Sequence, residues 1–208
     1  MRIGIIGAGW LGGTVGRQWV KAGHEVLFSS RHPERFKTLV RELGSLSSAG
    51  TAAEAAAFGP VVLIATPYDA LPAIGRGHGE ALHGKIVLDA ANPSPSAPLA
   101  RDAERDGVGR TSAKLLPGTQ LVRAFSAVDA TAVEASAAGR GERLAVPLAG
   151  DDREALETAL QLVRDAGCEP LLIGDLAAAT SFQCNGPGFR ANTGLPQLRR
   201  LLGLAIEA

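Results

Sequence analysis

The tightest constraint on the fold sits at the N-terminus, in MRIGIIGAGWLGGTVGRQWVKAGHEVLFSSR. Residues 1–6 are a short, mostly apolar run suited to a buried parallel strand. Gly7, Gly9 and Gly12 then spell G-x-G-x-x-G where that strand should give way to a helix. Each glycine has a physical task there: Gly7 for the tight turn, Gly9 for close approach of a pyrophosphate, Gly12 for packing helix on strand. The helix N-terminus adds free backbone N–H groups and a partial positive charge for that anion. Gly23 ends the helix, and residues 25–29 form the second strand. Glycine turns are common, but strand, turn, helix and strand in this order point to dinucleotide binding.

The end of the second strand sharpens this. An NAD site usually places Asp or Glu there, on the ribose hydroxyls. This chain has Ser29, Ser30 and Arg31, then His32 and, one helical turn on, Arg35. Hydroxyl and guanidinium groups suit a 2′-phosphate, whereas a carboxylate would repel it. NADP(H) is therefore expected over NAD; the alternative is an ordinary basic loop.

Further along, residues 33–43 read as a short helix opened by Pro33 and stopped by Gly44. Residues 45–49 form a weak edge strand, and Thr51 caps a helix over 52–58. Residues 60–65 (PVVLIA) are a buried strand that runs into Thr66-Pro67-Tyr68, at the sheet edge where ligands bind. Residues 69–84 hold Leu71 and Leu82 with several glycines between them, which predicts a broken helix. The strand at 85–89 leads into a loop at 90–94, where Pro93, Pro95 and Pro98 exclude regular structure. Leaving the binding edge, that loop puts Asn92 beside the cofactor; a plain linker is the other possibility.

A helix is expected over 111–116, ended by Pro117-Gly118, then a strand over 120–126 and an alanine-rich segment over 131–138. After a strand at 144–149, Asp151 or Asp152 caps an amphipathic helix carrying Leu156, Leu160 and Val163 and stopped by Gly167. The last strand is 169–173. Beyond Asp175 the pattern changes: 176–184 is helix-like, 185–194 glycine-rich, and 196–207 a closing helix with an apolar stripe of Leu195, Leu198, Leu201 and Leu202. Alternating strand and helix signals predict an α/β, Rossmann-type doubly wound, mainly parallel sheet. The expected division is a dinucleotide-binding domain over 1–174 and a short helical extension over 175–208, packed on that domain or on the partner in a homodimer.

Composition removes other classes. With 46% hydrophobic residues in 208, the chain can bury a real core. Its formal net charge of zero gives no global electrostatic case for nucleic acid or an anionic membrane. No apolar run approaches bilayer-spanning length, and no secretory signal is visible, so a cytoplasmic location is expected. Cys168 and Cys184 lack metal-ligand spacing and read as reduced packing residues. His24, His32, His78 and His83 form no ligand pair, so no metal is expected. Asp69 and Asp89, near strand ends, read as solvated carboxylates or helix caps. Tyr68, the only tyrosine, reads as a pocket-lining aromatic, with proton donation or ring stacking as the alternative.

With these features in place, the chain resembles the NADP oxidoreductases typified by the F-420-dependent NADP reductases, whose N-terminal module also occurs in the reductase domains of six-transmembrane metalloreductases. The resemblance rests on Gly7-Ala8-Gly9-Trp10-Leu11-Gly12, Lys21-Ala22-Gly23-His24-Glu25-Val26, Ser29-Ser30-Arg31, residues 61–67 and residues 121–127. It implies pyrophosphate on the backbone around Trp10, Leu11 and Gly12. It implies Ser30, Arg31 and Arg35 on the 2′-phosphate, and Thr66-Pro67 near the ribose and nicotinamide. The family often shows Ala-Phe-Asn where this chain has Ala124-Phe125-Ser126, which places Phe125 and Ser126 on the substrate side. The implied reaction is hydride transfer between NADPH and a small redox substrate, F-420 or a flavin.

Such a transfer needs two rings held face to face without water. That fits a sequence without a Ser-His-Asp, Cys-His or paired-carboxylate constellation. Two rival readings are a non-catalytic NADP(H)-sensing module and a β-hydroxyacid or imine-type dehydrogenase. The second is disfavoured, since such enzymes complete their site with a large helical domain, several using a lysine from it, and this chain has no lysine after Lys114.

Overall fold

The computed structural model describes residues 1–96 and 98–205. The strands are β1 (Arg2–Ile6), β2 (Glu25–Ser29), β3 (Ser47–Gly50), β4 (Val61–Ile64), β5 (Ile86–Asp89), β6 (Gln120–Arg123), β7 (Ala145–Gly150) and β8 (Glu169–Gly174). They form one sheet in the order β3-β2-β1-β4-β5-β6-β7-β8. Every neighbouring pair is parallel except β6 and β7. This is the doubly wound α/β architecture expected, with its order reversing at β1. The crevice of such a sheet opens there, at the carboxyl ends of the strands.

The helices are α1 (Trp10–Lys21), α2 (Lys37–Leu43), α3 (Ala52–Phe58), α4 (Leu71–Leu82), α5 (Ala100–Asp106), α6 (Val108–Leu115), α7 (Ala130–Ala137), α8 (Arg153–Asp165) and α9 (Leu195–Leu201). Both faces of the sheet are covered, so alternate strand residues feed two cores. Ile3, Ile5, Leu63 and Val122 join Trp19, Val133 and Leu162 on one side. Ile6, Val62, Ile64 and Leu121 join Ala55, Leu71 and Phe182 on the other. The Trp19 indole N–H donates to the Leu162 carbonyl at 2.8 Å, tying α1 to α8 across the buried face.

Several local expectations need correction. Residues 71–82 are one continuous helix despite their glycines. The reason is packing: a Cβ on Gly75 would overlap the Leu115 carbonyl oxygen at the end of α6. Gly75 lets the two helices approach, and burial of Leu71, Ile74 and Leu82 outweighs the poor propensity. Gly77 faces open space. The two positions should therefore respond with opposite sign. Gly75→Ala should cost about 1–3 kcal/mol in urea unfolding, and Gly77→Ala should gain about 0.5–1 kcal/mol. Equal effects would remove the close-approach explanation.

Residues 99–110, unassigned from sequence, hold α5 and the first turn of α6, which starts at Val108 rather than at 111. Of the two cap candidates before α8, Asp152 accepts from the Ala155 amide, while Asp151 accepts from the Leu176 amide. The closing helix ends at Leu201; residues 206–207 of the expected span lie outside the described residues.

The chain after β8 folds back on the sheet. Leu176–Phe182 is a 3-10 helix whose Leu176, Ala179 and Phe182 are buried. The Arg190 amide then donates to the Ala127 carbonyl, and the Ala145 amide to that of Thr193. Asp129 clamps this return, accepting from the Arg190 guanidinium at 2.7 Å and the Asn192 amide at 2.6 Å. In α9, Leu198 is buried with Ala145 and Leu171, Leu195 and Leu202 pack around them, and Leu201 stays exposed.

Candidate cofactor site

The crevice is built from β1 outward. Gly7 has φ of +92°, and a Cβ there would meet the Ala65 carbonyl and the Thr66 methyl, both at 2.7 Å. Only glycine takes this turn without strain while letting β4 stand so close. Gly12 lies against β1, where a Cβ would fall 2.5 Å from the Gly7 carbonyl oxygen. Gly9 is the N-cap of α1, with no side-chain cap and no acidic residue in the first turn. A Cβ on Gly9 would meet nothing within 4 Å, so the turn is open above it. The helix N-terminus thus presents uncapped amides and an uncompensated dipole to that space, as an anion requires. Trp10 is 72% exposed at the mouth, and Leu11 is half-buried beside it.

At the end of β2 the predicted set divides. Ser29 is fully buried and donates its hydroxyl to the Ile5 carbonyl at 2.7 Å. Its side chain is occupied by the sheet and cannot serve a phosphate. Ser30 is half-buried, and its oxygen accepts from the His32 amide at 2.9 Å, which shapes the loop. His32 pairs with Glu34. Arg31 and Arg35 are exposed and, among the described residues, make no ion pair. Arg35 shares a groove of about 790 Å³ with Gly9, Trp10, Arg17 and Phe36. Two unpaired guanidinium groups beside an uncapped helix start can hold a phosphorylated ribose.

On the other side of β1 lie the ends of β4, β5 and β6. Thr66 has its hydroxyl oxygen buried without a partner among the described residues, and Pro67 is exposed. Tyr68 does not line the crevice. It is 2% exposed, with its hydroxyl at 3.2 Å from the Val108 carbonyl and 3.1 Å from the Ser112 hydroxyl. Burial pushes its pKa up to about 12, Ser112 opposing and the Asp89 charge adding to the rise. The phenol therefore stays protonated at neutral pH and its proton faces the interior.

A stability consequence follows from that shift. Below pH 10 both folded and unfolded chains keep the phenol neutral; between about 10 and 12 only the unfolded chain ionises, so stability is lost as pH rises through that window. As the only tyrosine, Tyr68 gives an unambiguous ultraviolet titration. The native midpoint should lie near 12, against about 10 in denaturant; a native midpoint at 10 would place the ring in solvent.

Phe125, expected on the substrate side, is fully buried and packs edge-on against Trp19, with ring centres 6.0 Å apart. Its φ is +59°, a left-handed value that is rare outside glycine. Ser126, next along, is 5% exposed, and its hydroxyl oxygen has no partner among the described residues. Asn92 is half-buried, and its amide donates to the Ser126 carbonyl at 2.5 Å.

Asn92 belongs to a cluster that the sequence reading missed. Asp89 is not solvated and caps no helix: it is fully buried, 2.6 Å from the equally buried Arg123 guanidinium. Arg123 also donates to the Ala91 carbonyl at 2.6 Å and the Asn92 side-chain oxygen at 2.9 Å. The signal was present: KIVLD and QLVR end two consecutive buried strands on opposite charges, and adjacency in the sheet pairs them.

Pro93 and Pro95, just past Asn92, line a cavity of about 600 Å³ together with Gln183, Cys184, Asn185 and Pro187 of the returning chain. The proline loop and the C-terminal segment thus enclose one space. Among the described residues no cluster of His, Cys, Asp and Glu could hold a metal ion.

Comparison with known proteins agrees with this geometry. Residues 2–93 match the family model described as NADP oxidoreductase, coenzyme F420-dependent. That module, under half of the chain, is similar to this family. It supplies every strand of the crevice except β6, and the family is one of NAD(P)-dependent oxidoreductases. The metalloreductase STEAP3 of Rattus norvegicus is 28% identical over 178 residues, covering 86% of this chain but 35% of that protein. The chain thus spans about a third of the length of this curated relative. A solved structure from Arthrobacter sp. FB24, named "putative f420 dependent nadp-reductase", aligns with a TM-score of 0.71 at 25% identity, over 86% of this chain and 87% of that one. A hypothetical protein from Sinorhizobium meliloti gives a TM-score of 0.79 at 24% identity, over 94% and 95% of the two chains, and shares the fold. No helix among the described residues is long and apolar enough to cross a membrane.

Proposed function

We propose that this NAD(P)-dependent oxidoreductase prefers NADP(H) and transfers a hydride between NADPH and a deazaflavin such as F-420, or a flavin-like ring. The observation that carries the cofactor half is the pair of unpaired guanidinium groups, Arg31 and Arg35, at the end of β2, with no carboxylate where an NAD site would place one. Arg31 and Arg35 hold the 2′-phosphate, the amides from Gly9 to Gly12 hold the pyrophosphate, and Thr66 and Asn92 flank the nicotinamide half. NADPH supplies the hydride and its electron pair, and the acceptor takes them up with a proton from solvent. The chain's own work is to bind, to align the rings and to exclude water.

The acceptor ring is assigned to the cavity between the proline loop and residues 183–187, whose lining begins at Pro93, next in sequence to Asn92. Tyr68 takes no part in proton transfer, since its hydroxyl is used inside the fold.

The test is NADPH oxidation at 340 nm against F-420, flavins, ferric chelates and quinones, with NADPH binding measured in parallel. Oxidation coupled to reduction of F-420 or flavin is the expected result. Stoichiometric NADPH binding without oxidation by any acceptor would replace the enzyme reading with that of a cofactor sensor.

A further inference from the structure

Asp89 and Arg123 stand opposite each other in register, each the last residue of its parallel strand. Both are fully buried, and a buried ion pair is a poor way to stabilise a sheet. Taking both charges out of water offsets most of their attraction, and apolar residues of similar size usually do as well. The ladder of main-chain bonds already holds β5 to β6. The cluster is also incomplete as a packing device, since the Arg123 Nε and the Ser126 hydroxyl are buried without partners among the described residues.

What the pair does accomplish is to lock two loops. Arg123 grips the Ala91 carbonyl and the Asn92 side-chain oxygen, while Asp89 accepts from the Ala91 amide at 2.9 Å. Asn92 passes the restraint on by donating to the Ser126 carbonyl. That carbonyl follows Phe125, whose left-handed backbone is held by burial against Trp19. Strained backbone of this kind persists where the surroundings over-determine it, and it clusters at functional sites.

The position of this lock within the crevice decides its role. The pyrophosphate turn lies on β1 and the unpaired arginines on the β2 side, so the nicotinamide half must run the other way, over β4 towards β5 and β6. With neighbouring strands about 4.8 Å apart, the ends of β5 and β6 lie roughly 10–14 Å from β1. We propose that Asp89 and Arg123 are positioning residues for the nicotinamide half of the cofactor, acting through Asn92 and the Ser126 carbonyl. The assignment rests on the dinucleotide reading above.

The test compares NADPH with adenosine 2′,5′-bisphosphate, which carries the adenosine and the 2′-phosphate but no nicotinamide. Arg123→Lys keeps the charge but loses the fork that reaches Asp89, Ala91 and Asn92 together. It should weaken NADPH by about tenfold, the worth of one lost hydrogen-bond restraint, and leave the bisphosphate within about twofold of wild type. Asn92→Ala should reproduce that selectivity, and the double variant should lose no more than the worse single one. If Arg123→Lys fails to unfold cooperatively, Asp89→Asn takes its place, since it keeps the side chain's shape and an oxygen for the Ala91 amide while weakening the hold on Arg123. Asn92→Ala, which removes a direct contact, does not decide alone. Equal loss of both ligands, or unchanged NADPH affinity in both variants, would overturn the proposal. Wild type binding neither ligand would instead overturn the dinucleotide reading beneath it.

Discussion

Arg123→Met is expected to lower the unfolding free energy by about 3–5 kcal/mol, because it leaves the Asp89 carboxylate buried with a single backbone amide for company. The Asp89 side chain is fully enclosed. The loss should be read from urea unfolding at neutral pH, with the slope of the transition checked for two-state behaviour. The companion variant makes the test specific. Asp89→Leu with Arg123→Met removes both charges, and should recover stability to within about 1–2 kcal/mol of wild type, since the pair contributes little net. A single variant as stable as wild type would mean that water reaches the pair. A double variant as unstable as the single one would mean that the loops, rather than the charge, set the cost.

The second large effect is on the cofactor. Replacing Arg31 and Arg35 together with alanine should weaken NADPH by roughly 10- to 150-fold for each charge-assisted hydrogen bond lost, at about 1.5–3 kcal/mol apiece. NADH affinity should change by no more than about twofold, since NADH carries nothing for those groups to hold. Both side chains are exposed and unpaired, so folding should be unaffected and the comparison clean. Raising the ionic strength should weaken NADPH in wild type and leave the double variant nearly insensitive. Equal loss of NADPH and NADH would remove the 2′-phosphate assignment, and leave Arg31 and Arg35 as an ordinary basic loop.

Most of the sheet was legible in the sequence because a doubly covered parallel sheet writes each strand as a short apolar run between breakers. PVVLIA and KIVLD carry that signature, and G-x-G-x-x-G fixes where the first crossover turns. Helix α4 was not legible. Its glycines weaken local propensity, and the reason for Gly75 is a carbonyl on α6, forty residues away in sequence. The site residues at strand ends divided for a related reason. Period two says which residues alternate, but not which of the last two turns into the crevice. Ser29 therefore went to the Ile5 carbonyl, and Phe125 to the core against Trp19.

Tyr68 shows the same limit, since only the placement of α6 beneath it reveals where its hydroxyl goes. Asp89 was hidden by a general expectation that charged residues at strand ends meet solvent, and Arg123 by an expected strand over 120–126 that in fact ends at Arg123. The pairing appears once the strand order makes β5 and β6 neighbours. The C-terminal segment was least legible, because its course is set by single contacts of Asp129 and Ala127 with residues that share no periodic pattern.

The proposed function requires the crevice at β1 to hold NADP(H) through the arginines on its β2 side. The most direct measurement is the dissociation constant of the unmodified chain for NADPH and for NADH, under the same buffer and salt. NADPH binding tighter by at least about tenfold, as one or more charge-assisted contacts to the 2′-phosphate require, is the predicted result. Equal affinity, or a preference for NADH, would contradict it.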